Sequence, residues 1–189
     1  MRIILASASP RRAELLGAAG IAFDVVPANV DETPRAGESP EPYVRRLADA
    51  KVRDIASRTR DRVVLAADTT VIIDGQMLAK PRDEDDAKRM LYLLSGRVHE
   101  VLTAVAVYCG SLMAGPLVEV ERTEVEFAPL TEFEIDWYVA TGEPRDKAGA
   151  YAIQGYASRF VTRIDGSYSN VVGLPIALVY QMLKDLTTL

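Results

Sequence analysis

The chain has 189 residues, of which 49% are hydrophobic and 26% charged, and its net charge is -5. That describes a globular protein with a substantial core, expected as one domain over 1–189, and its acidic balance argues against bulk binding to nucleic acid or an anionic membrane. Cys109 is the only cysteine, which excludes an internal disulfide, and no apolar run approaches the ~18 residues of a membrane span, so a cytoplasmic location is expected.

In chain order, 1–5 reads as a short apolar strand. Ser9 is placed to cap a helix over 10–18, and Pro10 suits its first position. Arg11 and Arg12 follow in the first turn, beside the positive end of the helix dipole, where acids are favoured. With Ser7, Ser9 and the unpaired N–H groups they describe either a phosphate cradle or a helix start whose arginines extend into water. A strand over 21–27 and a polar loop over 29–37 come next, and the loop carries Asp31 and Glu32. Ser39-Pro40 repeats the capped start. The helix that follows has an apolar stripe of Val44, Leu47, Ala48, Val52 and Ile55, with Lys51 on the same face. Either the lysine stem packs and the amine escapes to solvent, or the amine reaches a cleft.

Residues 63–67 are continuously apolar, as in a strand buried on both faces, and end in Asp68-Thr69-Thr70. A carboxylate there is costly unless a metal, a cation or the mouth of a cleft receives it. Asp74-Gly75 predicts a hairpin turn, and the returning strand stops at Lys80-Pro81. Asp83 caps the next helix, whose first turn holds Glu84, Asp85 and Asp86. Capping explains Asp86, yet a place at the edge of a cleft stays open. Strands over 98–108 and 117–127 form a long antiparallel pair around 110–116, with Glu119, Glu121, Glu124 and Glu126 facing solvent. His99, the only histidine, reads as structural. Thr131 and Glu134 make a capping box for a helix to 141. The glycine-rich, tyrosine-bearing stretch 142–175 is a long surface loop or a binding wall, with a strand over 160–164. Pro175 opens a final amphipathic helix.

Taken together, Arg11, Arg12, Lys51 and Lys80 supply cations, and Asp31, Glu32 and Asp68 supply carboxylates outside the helix caps. Cations for a polyphosphate and hard oxygens for a divalent ion are the equipment of phosphate-ester chemistry. No P-loop, dinucleotide-binding glycine turn or nucleophile elbow is present. The residues alone therefore reach a phosphate-binding α/β protein with a mixed sheet, with metal assistance.

Several motifs occur together in order: Ser-x-Ser-Pro-Arg-Arg at 7–12, Val-Asp-Glu at 30–32, Ala-Asp-Thr at 67–69, Lys-Pro-x-Asp at 80–83 and Leu-Ser-Gly at 94–96. Asp-Lys-Ala-Gly-Ala-Tyr-x-Ile-Gln-Gly at 146–155 and Gly-Ser-Tyr-x-Asn-Val-Val-Gly-Leu-Pro at 166–175 complete the set. In these the chain resembles the Maf family of nucleoside triphosphate pyrophosphatases over essentially its whole length. The resemblance implies an α/β fold like that of the inosine triphosphate pyrophosphatases, with an elongated mixed β-sheet flanked by helices and two lobes around a deep cleft. It implies cleavage of a nucleoside triphosphate to the monophosphate and pyrophosphate with Mg²⁺ or Mn²⁺, a homodimer, and no nucleic-acid or membrane partner. By the same resemblance Asp68 is the proton acceptor, Glu32 and Asp68 hold the metal, and Ser7, Arg11, Lys51 and Lys80 grip the phosphates. Arg12, Thr69 and Gln154 match the specificity positions of the subfamily selective for dTTP and UTP. The alternatives are a nucleotide-binding regulator of septum formation with little turnover, and a pyrophosphatase of the 7-methyl-GTP type.

Overall fold

Short apolar runs alternating with proline- or acid-started helices give an α/β chain. A computed structural model describes residues 2–59, 62–110 and 112–186. Met1, within the expected first strand, and Ser111, within the expected 110–116 turn, lie outside the described residues. The elements are β1 (Ile3–Leu5), α1 (Pro10–Ala18), β2 (Phe23–Val25), α2 (Pro40–Ala56), β3 (Val64–Ile73), β4 (Gln76–Leu78) and α3 (Glu84–Leu94). They continue as β5 (Val98–Tyr108), β6 (Leu117–Phe127), α4 (Glu132–Ala140), β7 (Val161–Asp165), α5 (Tyr168–Val172) and α6 (Ile176–Leu186). Between α4 and β7 the backbone makes 3₁₀ turns at Glu143–Asp146, Ala148–Ala150 and Tyr156–Phe160.

The strands form a seven-stranded sheet of order β2-β1-β3-β5-β6-β7, with β4 paired to β3. It is mixed: β1 runs parallel to β2 and to β3, while β4 pairs antiparallel with β3 and β7 with β6. The β3–β4 turn is the expected one, since Asp74 and Gly75 both adopt positive φ, at 51° and 74°. The described residues divide into two compact units, one within Met1–Asp68, Thr103–Glu121 and Gly173–Leu189, the other within Thr69–Leu102 and Arg122–Val172.

In the first unit the odd-numbered residues Ile3, Leu5, Leu65, Ala67, Val105 and Val107 form one core with Leu16 of α1 and Val179, Met182, Leu183 and Leu186 of α6. The even-numbered Ile4, Val64, Ala66, Ala104 and Ala106 are equally buried, so both faces of these strands are covered. The α2 stripe is buried as its spacing predicts, Lys51 included. Ser9 and Ser39 correct the capping expectation. Each has the extended backbone of an N-cap, but neither side chain makes a capping hydrogen bond. The following prolines carry those helix starts through their fixed φ.

In the second unit Asp83 caps α3 by accepting from the Asp86 N–H at 2.8 Å, and Thr131 and Glu134 form the full capping box of α4. Its core includes a cluster of aromatic rings. Phe127 meets Tyr151 edge-on at 4.9 Å between ring centroids, and Tyr138 meets Phe160 at 5.5 Å. His99 is buried against Phe127, and its Nε2 lies 2.9 Å from the Tyr151 hydroxyl. Burial pulls the imidazole down to about 4, so the fold holds it neutral. The unfolded chain binds that proton more readily. His99 therefore contributes stability above its ordinary value of 6.5, and this is lost as pH falls from 6.5 to about 4. The loss should be on the order of 3 kcal/mol, read as the difference between wild type and His99→Gln in urea unfolding. A difference that stays flat through that window contradicts the assignment.

Candidate active site

The site grows from β3. Val64, Leu65, Ala66 and Ala67 are fully buried, and the next residue, Asp68, is still only 7% exposed. Its carboxylate Oδ1 accepts from Lys51 Nζ at 2.7 Å, and the same ammonium lies 2.6 Å from Glu32 Oε1. Lys51 does not escape to solvent: its side chain is 10% exposed, and α2 delivers the amine between two carboxylates. Burial pushes the Asp68 carboxyl above the ordinary carboxylate value, against the pull of Lys51 and Arg12.

The start of α1 supplies the other cations. Arg12 donates from Nε to the Gly173 carbonyl at 2.8 Å and from Nη1 to Ser7 Oγ at 3.2 Å. Ser7 Oγ also accepts the Ser9 N–H at 3.2 Å, which leaves its own hydrogen for a further acceptor. Burial lowers the Arg12 guanidinium below its ordinary value, with Asp68 pulling it up and Arg11 acting as a like charge. The start of α1 thus carries the Arg12 guanidinium on the buried Ser7 hydroxyl, with Arg11 as a second positive charge nearby.

Ser7, Arg11, Arg12, Glu32, Lys51 and Asp68 are thus brought together within the first unit. Thr69, Lys80 and Gln154 belong to the second. Thr69 is half-buried on β3, Lys80 is exposed just after β4, and Gln154 is exposed in a turn. Asp31 is turned to its own loop and accepts the Thr33 N–H at 2.9 Å. Asp86 is resolved as structural. Burial alone would push its carboxyl up, but hydrogen bonds from Arg89 and from the backbone and side chain of Arg82 hold it below the usual range. A cavity of about 310 Å³ beside it is lined by Pro81, Ala87, Val139 and Pro144 with Arg82 and Arg145, and none of the expected site residues reaches it.

Sequence reasoning missed Tyr43. Its hydroxyl donates to the Glu32 backbone carbonyl at 2.9 Å, and burial with the charges of Asp68 and Glu32 pushes the phenol up to about 12, keeping it a donor. Arg46 joins it, donating to the Thr33 carbonyl at 3.2 Å and to Glu38 Oε1 at 2.6 Å. The loop bearing Glu32 is therefore tied to α2. The available signal was a polar-tipped aromatic at the edge of the α2 stripe.

The residues suit a divalent cation. Glu32 and Asp68 converge on one positive charge at 2.6 and 2.7 Å, and both offer hard oxygens. Among the described residues no group of three or more histidine, cysteine or acidic side chains is placed to hold a metal ion. A cation such as Mg²⁺ can be held by one or two carboxylates, with phosphates and water completing its shell. Among the described residues no helix is long and apolar enough to cross a membrane.

A family model described as Maf-like protein matches residues 2–186. A curated protein of Anaeromyxobacter dehalogenans (strain 2CP-C), named dTTP/UTP pyrophosphatase, is 54% identical over 184 residues, covering 97% of this chain and 93% of that protein. Proteins of the same name from Citrifermentans bemidjiense and Koribacter versatilis are 53% and 52% identical, each over 94% of its own length and 96% and 97% of this chain. Among solved structures, the Ham1 protein of Staphylococcus aureus aligns with a TM-score of 0.57 at 14% identity, covering 98% of this chain and 99% of that one. A HAM1 protein from Coxiella burnetii aligns with a TM-score of 0.57 at 18% identity over the whole of both chains. These two likenesses establish the fold.

Proposed function

Because the chain belongs to the Maf-like protein family, we propose that it hydrolyses dTTP and UTP to the monophosphate and pyrophosphate, with Asp68 as the base. The observation that carries the reading is the Asp68 carboxylate, raised by burial at the end of β3 and held by Lys51 at 2.7 Å. The raised carboxyl makes its ionised form a stronger base than an exposed aspartate, as general-base work requires.

Asp68 takes a proton from water as the water oxygen attacks the α phosphorus. The new oxygen–phosphorus bond forms as the bridge to the β phosphate breaks, and pyrophosphate leaves with the bonding electrons. Lys51 has three hydrogens and uses two on Glu32 and Asp68, so its third is available to a phosphate oxygen. Ser7, Arg11 and Lys80 add donors along the triphosphate, and charge developing on pyrophosphate meets these fixed cations. Glu32 and Asp68 would hold the divalent cation, Mg²⁺ or Mn²⁺, which when bound polarises the phosphates. Arg12, Thr69 and Gln154 select the base. The Gln154 amide offers one donor and one acceptor, which match the imide edge of thymine or uracil. A cytoplasmic homodimer that keeps non-standard nucleotides out of nucleic acid, with a link to division arrest, belongs to the same reading.

The test is pyrophosphate release from dTTP, UTP, CTP, dGTP and 7-methyl-GTP, each with Mg²⁺ and with EDTA. Release from dTTP and UTP that EDTA abolishes is expected, and Gln154→Ala should blunt the preference. Tight nucleotide binding without release from any of the five would point instead to a regulator. Preference for 7-methyl-GTP would point to the other pyrophosphatase type.

A further inference from the structure

Gln154 stands in a tight turn whose closing bond runs from the Gly155 N–H to the Ala152 carbonyl at 3.0 Å. Its neighbour Ile153 is buried, while Gln154 itself is exposed. One end of this turn is held from α4 and the other from the 3₁₀ turn just beyond it. At the entry, the Ala152 N–H donates to the Tyr138 hydroxyl at 3.1 Å. At the exit, the Tyr156 N–H donates to Glu143 Oε2 at 3.0 Å, and the Ala157 N–H to Glu143 Oε1 at 3.4 Å. The two clamps are joined, because the Tyr138 hydroxyl donates its own hydrogen to Glu143 Oε1 at 2.8 Å.

Two further observations show that this contact is built tightly. A Cβ at position 155 would lie 2.0 Å from Glu143 Oε2, so the carboxylate rests directly on the glycine that follows Gln154. Tyr138 is fully buried, and burial with the nearby Glu143 pushes its phenol well above the ordinary value, so it remains a donor at every working pH. Glu143 itself is fixed just beyond α4, where its N–H donates to Thr141 Oγ1 at 3.2 Å. Neither side chain is spent on the core alone. Each uses its polar atoms on the backbone that carries Gln154.

We propose that Tyr138 and Glu143 are positioning residues for nucleobase selection, acting together through the turn that carries Gln154. This rests on the reading of Gln154 as a specificity residue. Loosening either clamp leaves the Gln154 amide present but free to swing. An ångström of drift is enough to lose a two-point hydrogen-bond match, whereas the Asp68 chemistry in the other unit is untouched.

The experiment compares wild type, Gln154→Ala, Tyr138→Phe, Glu143→Ala and Glu143→Gln by the ratio of kcat/KM for dTTP to that for dGTP. Tyr138→Phe removes one oxygen and both of its bonds at nearly constant volume. It should lower the ratio roughly 10-fold or more through the KM for dTTP, with kcat little changed. Glu143→Ala should do the same, and Glu143→Gln, which keeps one carbonyl acceptor, should recover part of the ratio. Tyr138→Phe added to Gln154→Ala should lower the ratio no further, since both act through one group. A wild-type ratio in the clamp variants beside a collapsed ratio in Gln154→Ala overturns the clamp alone. A loss shared equally by both nucleotides also overturns it, because that is the result of a merely structural role. A wild-type ratio in Gln154→Ala overturns both the clamp and the reading of Gln154 on which it rests.

Discussion

Asp68→Asn is expected to release pyrophosphate from dTTP roughly 10²–10⁴-fold more slowly than wild type while remaining folded. The amide keeps the carboxylate's shape, and its oxygen can still accept from Lys51, which lies 2.7 Å from Oδ1. What is lost is the negative charge, and with it the basic lone pair and one carboxylate for the divalent cation. Wild-type activity should also fall with acid in a particular place. Burial raises the Asp68 carboxyl, so the acid limb of kcat/KM lies above the ordinary carboxylate value of 3.8. The sign follows from the role: the base works ionised, so activity is lost as pH falls through the raised value. The residual activity of Asp68→Asn should lack that limb. An Asn variant with full activity, or with an unchanged limb, contradicts the role.

Lys51→Met is expected to remove activity and much stability together. The ammonium is the positive charge seated between Glu32 and Asp68, at 2.6 and 2.7 Å, and the Lys51 and Asp68 side chains are each 10% exposed. Methionine fills the stem's volume but leaves a buried carboxylate facing another carboxylate. Losing one partner of a buried pair costs about 3–5 kcal/mol; the half-exposed Glu32 and the nearby Arg12 favour the lower end. The pH sign is specific. Without Lys51 the folded state binds a proton on Asp68 more tightly than the unfolded chain does. The variant should therefore regain stability as pH falls from 8 toward 5, where the deficit against wild type narrows in urea unfolding. Equal stability of the two proteins at pH 8 contradicts the buried pair.

The residues that were legible in the sequence are those that break a pattern. Lys51 interrupts the α2 stripe and Asp68 ends a continuous apolar run, and the structure joins them. Element order was legible for the same reason, down to β5 and β6, whose ends match the alternating valine-rich runs. The parts that could not be read are those made by contact at a distance. Tyr43 meets the Glu32 carbonyl across 11 residues, and Tyr138 meets the Ala152 N–H across 14. Such bonds join a side chain to backbone and leave no period in the chain. The capping serines show the converse error. Ser9 and Ser39 have the right residue type in the right place, yet the prolines after them fix the helix starts without their hydroxyls. Lys80 was legible as a cation at the end of a strand run, whereas Thr69 and Gln154 came from ordered motifs alone.

The most direct measurement is hydrolysis of dTTP with Mg²⁺ in ¹⁸O-labelled water, with both products weighed by mass spectrometry. Attack on the α phosphorus predicts one ¹⁸O in dTMP and none in pyrophosphate. Label in pyrophosphate, or release of dTDP and phosphate, would contradict the account.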